Sequence, residues 1–102
     1  MGAYRVVYTP SARRDLKQIV KYIARDDPQA AERFGLELFN EAESLSWPLI
    51  SGSGGHLPER PGVRKLIHGQ YLILYRIMAD ENEVRVLRFW HGAQDRNRLG
   101  SL

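Results

Sequence analysis

The sequence predicts an α+β domain, ordered β-α-α-β-β-β, with a helical hairpin packed on one face of a small, mainly antiparallel sheet. Three observations predict it. Two stretches step their apolar residues by three and four on either side of Asp26-Asp27-Pro28. Three later stretches alternate as strands between short turns, and a β-branched, aromatic run opens the chain. A length of 102 residues fits one domain, because a second core could not be filled.

The opening run, Tyr4-Arg5-Val6-Val7-Tyr8, reads as a first strand ending at Thr9-Pro10. Thr9 can cap the following helix, and Pro10 suits its first position, where a missing N–H costs nothing. Ala12, Leu16, Ile19, Val20 and Ile23 form the apolar face of that helix; Arg13, Arg14, Lys17, Lys21 and Arg25 make its outer side basic. Pro28 disfavours helical geometry at Asp27, which becomes the cap of a second helix with a seam of Ala31, Phe34, Leu38, Ala42 and Leu45. Leu36 and Phe39 fall off that seam, and two readings stay open: a wide apolar face, or a patch awaiting a partner.

Residues 47 to 62 are too rich in Gly and Pro for regular structure and read as a long loop, with Trp47-Pro48 ending the second helix and plugging the base of the hairpin. Residues 63 to 67, 71 to 78 and 84 to 90 then form an antiparallel meander. The middle strand is apolar on both faces, Tyr71, Ile73, Tyr75 and Ile77 on one and Leu72, Leu74 and Met78 on the other, so it should be central. Strict alternation in the last strand sets Val86, Arg88 and Trp90 against Arg85, Leu87, Phe89 and His91. The sheet face away from the hairpin is expected to be open, and residues 92 to 102 a loosely ordered, flexible tail.

Composition narrows the chemistry. Without cysteine there is no disulfide framework, thiolate metal site or thiol nucleophile, and the three histidines, at 56, 68 and 91, lack metal-ligand spacing; neither metal nor cofactor is expected. No apolar run approaches the roughly 18 residues needed to cross a bilayer, and Met1-Gly2-Ala3-Tyr4-Arg5 lacks the hydrophobic stretch of a signal peptide, so the cytoplasm is expected and no membrane partner. The net charge is +3, with the surplus in the second half of the chain. A modest basic excess suits an acidic protein or a nucleic-acid backbone.

Several phrases, in this order, resemble the RelE/ParE toxin superfamily over roughly residues 4 to 96. They are Tyr8-Thr9-Pro10 with Ala12 and Asp15-Leu16, Ile19 with Tyr22-Ile23-Ala24, and Asp27-Pro28 with Ala30-Ala31. Later come Gly62-Val63-Arg64 with Leu66, Gly69 with Tyr71-Leu72-Ile73 and Tyr75, and His91-Gly92-Ala93 with Asp95. The resemblance is closer to ParE-like, plasmid-stabilisation toxins than to RelE. It implies a RelE-like fold, a cognate antitoxin as partner, and growth arrest when the toxin is free. ParE-like members are regarded as poisoning DNA gyrase by protein contact, whereas RelE-like members cleave mRNA on the ribosome; sequence-specific DNA binding by the toxin alone is not expected.

Metal-free RNA cleavage needs a base, an acid and cations converging on one phosphate. The candidates are Arg64 for phosphate, with Lys65, Arg76 or Arg88 as auxiliaries, Glu59 as base and His91 as acid. Against them, residues 47 to 62 carry Arg60 as their single lysine or arginine, and the last strand ends in His91-Gly92-Ala93 where nuclease members tend to place an aromatic acid-base group. Tyr71, Tyr75, Phe89 and Trp90 suit core or sheet packing better than base stacking. The expectation is therefore a gyrase-directed toxin contacting its target through Arg85, Arg88, His91, Arg96 and Arg98. An mRNA endonuclease is the second reading and an inactive, antitoxin-titrating domain the third. The antitoxin, typically a disordered and often acidic segment, is expected on Arg13, Arg14, Lys17, Leu36 and Phe39.

Overall fold

The computed structural model describes residues 3–94 together with Leu99 and Leu102. Strand β1 (Arg5–Tyr8) leads into helices α1 (Pro10–Ala24) and α2 (Pro28–Glu43), a 3-10 turn at Ser44–Ser46 and a one-turn helix α3 (Pro48–Ser51). Strands β2 (Gly55–His56), β3 (Arg64–His68), β4 (Tyr71–Met78) and β5 (Glu83–His91) follow. The three helices pack on one five-stranded mixed sheet ordered β1-β5-β4-β3-β2, in which β1 runs parallel to β5 and the remaining pairs are antiparallel. The first strand therefore sits beside the last, and β4 is central as its two apolar faces require.

Both helices start where their caps dictate. The Thr9 hydroxyl accepts from the Ala12 N–H at 3.0 Å and the Asp27 carboxylate from the Ala30 N–H at 3.1 Å, each just before a proline at the first helical position. The seams meet at Gly35, where a Cβ would lie 2.8 Å from Val20 Cγ2, so a larger residue there would force the helices apart. Ala12, Leu38, Ala42 and Leu45 then bury against Ile73, Tyr75, Val84, Val86 and Phe89 of the sheet.

The outer edge of β5 is shared between a strand and a helix. β1 pairs with residues 83 to 86 and ends. Beyond it, the Thr9 N–H donates to Val86 O at 3.0 Å and the Thr9 hydroxyl to Leu87 O at 2.9 Å, while Asp15 on α1 accepts from the Phe89 N–H at 3.1 Å. Edge groups that a longer β1 would have paired are thus met by the Thr9 N–H and by the Thr9 and Asp15 side chains, as buried backbone polar groups must be. A register shift opposite Leu74/Tyr75 places an extra residue in β5 at this point, so strict alternation fails. Val86 and Phe89 face the helices together, whereas Leu87 and Trp90 share the other side.

Four further expectations are corrected. Residues 47 to 62 hold regular structure, because Pro48 starts the single turn of α3 and Gly55–His56 pairs with Arg64 and Lys65. Trp47 does not plug the hairpin base; its ring is exposed, and Leu45 and Ile50 fill the core there instead. The far face of the sheet is not open: Leu57 and Val63 fold back over Leu72, Leu74, Leu87 and Trp90 to form a second core. Leu99, within the tail expected to be loose, is buried in that core with Leu102 packed against it. Residues 95–98 and 100–101 lie outside the described residues.

At the start of β5 the Glu83 carboxylate accepts from Arg5 at 3.0 Å and from Arg85 at 2.8 Å. Those two bonds, Arg5's first, hold its pKa below the usual carboxylate value. The sign follows from linkage: Glu83 stabilises the fold above the unfolded carboxylate pKa of about 4.3, and the contribution is lost as pH falls through its depressed folded value. Thermal unfolding of wild type and Glu83→Gln should therefore differ most near neutrality and converge as pH drops below about 4.3; a gap independent of pH would contradict this role.

Candidate functional site

The predicted site residues fall into three groups on different parts of the sheet. At the end nearest residues 47 to 62, Arg64 lies opposite Tyr75, and its Nη1 donates to Gly52 O at 3.2 Å and Gly54 O at 3.1 Å. The Tyr75 hydroxyl donates to Ser51 O at 2.6 Å. Burial raises the pKa of that phenol, with Arg64 and a Gly54 backbone bond opposing the rise. Arg76 reaches Pro61 O at 3.4 Å across Gly62, where the backbone is left-handed (φ 84°) and a Cβ would sit 2.4 Å from the Arg76 guanidinium. Arg64 and Arg76 thus act on backbone carbonyls and hold the segment on the sheet. Lys65 lies on the opposite face from Arg64, and Glu59 is exposed on the turn that follows Leu57.

At the other end, Arg88 is committed to the fold. Its Nε and Nη2 donate to the Asp15 carboxylate at 2.6 and 2.9 Å, its Nη1 to Leu99 O at 3.4 Å, and its plane lies over the Trp90 ring at 4.9 Å. The bond from Asp15 raises the Arg88 pKa against the cost of desolvation, so the charge is permanent but locally neutralised. Three residues on, His91 Nδ1 accepts from the Ala93 N–H at 3.1 Å, and its Nε2 lies 3.1 Å from Gln70 Oε1. The ring also stands edge-on to Tyr71 at 5.0 Å. His91 thus has both ring nitrogens engaged within the chain.

The spacing of these groups decides what they can do together. Arg64 pairs with Tyr75 and His91 with Tyr71, four residues apart along β4, or about 13 Å, and on opposite sides of that strand. Each is bonded to partners at its own end of the strand, Arg64 to Gly52 and Gly54 and His91 to Gln70 and Ala93. Arg85 is engaged by Glu83 and Glu81, and Arg96 and Arg98 lie outside the described residues. Among the described residues no group of His, Asp or Glu could hold a metal ion.

The third group is the outer face of the hairpin. An open groove of about 990 Å³ runs along α1, with Leu16, Val20 and Ala24 at its floor and Arg13, Arg14 and Lys17 among its walls. Next to it on α2, Leu36 is 57 % exposed; Phe39, 39 % exposed, stacks on Tyr8 at 5.7 Å. None of the α1 cations Arg13, Arg14, Lys17, Lys21 and Arg25 makes an ion pair among the described residues, whereas Arg85 and Arg88 do.

A feature not singled out from sequence lies where α1 faces the end of the sheet. An open cleft of about 740 Å³ has Ile19, Ile23 and Phe89 in its wall and Gln18, Gln70 and Gln94 around it. Tyr22, 68 % exposed, projects beside it. Burial and then the nearby Tyr22 raise the pKa of Tyr71 within the same cleft. The signal in the sequence was an aromatic residue on the polar side of an amphipathic helix.

Comparison with known proteins fits this geometry. Residues 6–96 match the family described as the ParE toxin of the type II toxin–antitoxin system parDE. Toxin RelE1 of Caulobacter vibrioides is 28% identical over 91% of this chain and 98% of its own. The putative toxin Y4kP of Sinorhizobium fredii is 32% identical, covering 92% of this chain and 94% of its own. Among solved structures, a chain of the chromosomal ParDE system of P. aeruginosa superposes with a TM-score of 0.76 at 21% identity over 89% of this chain and 98% of that one, a likeness of fold. A chain of the RelBE2 toxin–antitoxin complex of Mycobacterium tuberculosis gives 0.65 at 29% identity over 87% and 98%. No helix among the described residues is long and apolar enough to cross a membrane.

Proposed function

Because the chain belongs to the ParE toxin family of type II toxin–antitoxin systems, we propose that it arrests growth by protein contact with DNA gyrase in the cytoplasm, and that a cognate antitoxin neutralises it. The observation that carries this reading over RNA cleavage is the dispersal of the groups a nuclease would need. Arg64 is bonded to Gly52 and Gly54, Arg88 to Asp15, and both ring nitrogens of His91 are occupied. A metal-free nuclease needs those groups free and within one phosphate's reach. Within the expected target surface, Arg88 serves by fixing β5; Arg85, His91 and the tail residues Arg96 and Arg98 are the groups proposed to meet gyrase. Interfaces favour arginine beside exposed apolar surface.

The antitoxin is proposed to lay an acidic, amphipathic segment along the α1 groove, its carboxylates on Arg13, Arg14 and Lys17 and its apolar side against Leu36 and Phe39. The structural neighbour from Mycobacterium tuberculosis is part of a toxin–antitoxin complex, which supports a partner of this kind.

Purified toxin should inhibit gyrase supercoiling and leave ribosome-bound mRNA intact; cleavage of mRNA with supercoiling unaffected would reverse the assignment. In the mRNA assay, Arg64→Ala and His91→Ala should have no cleavage to abolish, whereas a nuclease loses about 100-fold or more when an acid-base group goes. Leu36→Asp and Phe39→Asp should each weaken antitoxin binding about 10-fold or more. An unchanged dissociation constant for both variants would place the antitoxin elsewhere.

A further inference from the structure

The basic stripe of helix α1 is shared between two hollows: Arg14, Gln18 and Lys21 line the groove assigned to the antitoxin, and Gln18 also lines a second cleft. Arg14, Gln18, Lys21 and Arg25 follow the i, i+4, i+7, i+11 spacing of one stripe, and all four are exposed. The three cations span about 16 Å along the helix and have no ion-pair partner among the described residues. Arg14 donates to the neutral Ser11 hydroxyl. Gln18 also lines the cleft between α1 and the ends of β4 and β5, so the basic stripe borders that cleft directly.

The cleft itself is uncharged in effect, because its one acid and one arginine, Asp15 and Arg88, neutralise each other. Its hydrogen-bonding capacity comes from carboxamides on three elements. The Gln70 oxygen is taken by the His91 ring and the Gln94 oxygen by the His91 N–H, which leaves both NH2 groups without a protein partner among the described residues. Gln18 makes no side-chain hydrogen bond among them either. These exposed amide donors can meet an acceptor-bearing ligand, and the exposed Tyr22 ring offers a flat apolar face to stack on it.

A nucleobase meets both demands, with carbonyl and ring-nitrogen acceptors at its edge and a π-face for stacking, and its flanking phosphates would lie along Arg14, Lys21 and Arg25. We propose that this cleft and its bordering stripe bind single-stranded nucleic acid, one unstacked base entering between Tyr22 and the glutamines while the α1 cations hold the backbone. A duplex does not fit, because its bases stay stacked. An acidic peptide would satisfy the cations, and its carbonyls the amide donors, but its backbone offers no flat ring to stack on Tyr22. Neither gyrase nor the ribosome is needed for this binding, so it stands or falls separately from the proposed target.

Fluorescence anisotropy of the full chain with labelled oligo-dT and oligo-U of about 12 nucleotides tests it, with a duplex of equal length as control. Both single strands should bind more tightly than the duplex; a preference between them identifies DNA or RNA as the source. Three phosphate contacts predict a slope of about −2 in log K against log salt between about 50 and 200 mM. Arg14→Gln, Lys21→Gln and Arg25→Gln together should flatten that slope, while Tyr22→Ala should weaken binding about 10-fold and leave the slope unchanged. All four positions are exposed, so thermal unfolding should show the variants folded. Absence of binding at low salt, a duplex bound as tightly as the single strands, indifference to Tyr22→Ala, or displacement by poly-glutamate as effective as by unlabelled strand would each overturn the proposal.

Discussion

The Asp15 carboxylate does three things at one point. It accepts two charge-assisted bonds from Arg88, accepts the Phe89 N–H at the edge of β5, and fixes α1 against the sheet just past the register shift. β1 is too short to pair the whole of β5, so without Asp15 the edge of the last strand would keep an unpaired donor beside the core. The pair is largely buried, with 19% and 12% of the two side chains exposed. Removing one partner would leave the other charge desolvated, a loss of about 3 to 5 kcal/mol in comparable settings.

That clamp also governs which charges remain available to partners. Arg88 stands where a target-binding cation or a phosphate ligand was expected, yet every nitrogen of its guanidinium is used within the chain. Arg85, Arg64 and Arg76 are likewise engaged, by carboxylates or backbone carbonyls. Among the described residues, the cations without such partners lie on the helical hairpin, with Lys65 on β3 the exception. In this toxin Arg64, Arg76 and Arg88 stabilise the fold, and the helical hairpin carries most of the unpaired charge among the described residues.

Local rules made much of this legible. Thr9 and Asp27 announce their helices through cap chemistry, and the apolar faces of β4 mark a central strand whatever its neighbours. What stayed hidden was non-local. Nothing near Asp15 announces a partner 73 residues away, and nothing in the opening strand says that it runs parallel to β5. Alternation is blind to an inserted residue, so the bulge reassigned Leu87 and Phe89 to opposite faces. The Gly and Pro content of residues 47 to 62 masked α3 and β2, because their order depends on Arg64 and Tyr75 reaching back to Ser51, Gly52 and Gly54. The candidate site residues were legible as residue types, but their hydrogen-bond partners, which decide their roles, were not.

A double-mutant cycle on unfolding free energy, with Asp15→Asn, Arg88→Gln and the double variant, most directly separates a structural Arg88 from one held ready for a target. A structural clamp predicts a coupling energy of about 2 kcal/mol or more, within the range for contacting, networked residues. A coupling below about 0.5 kcal/mol, the level at which independent sites add, would contradict it and return Arg88 to the set of groups free to act on a partner.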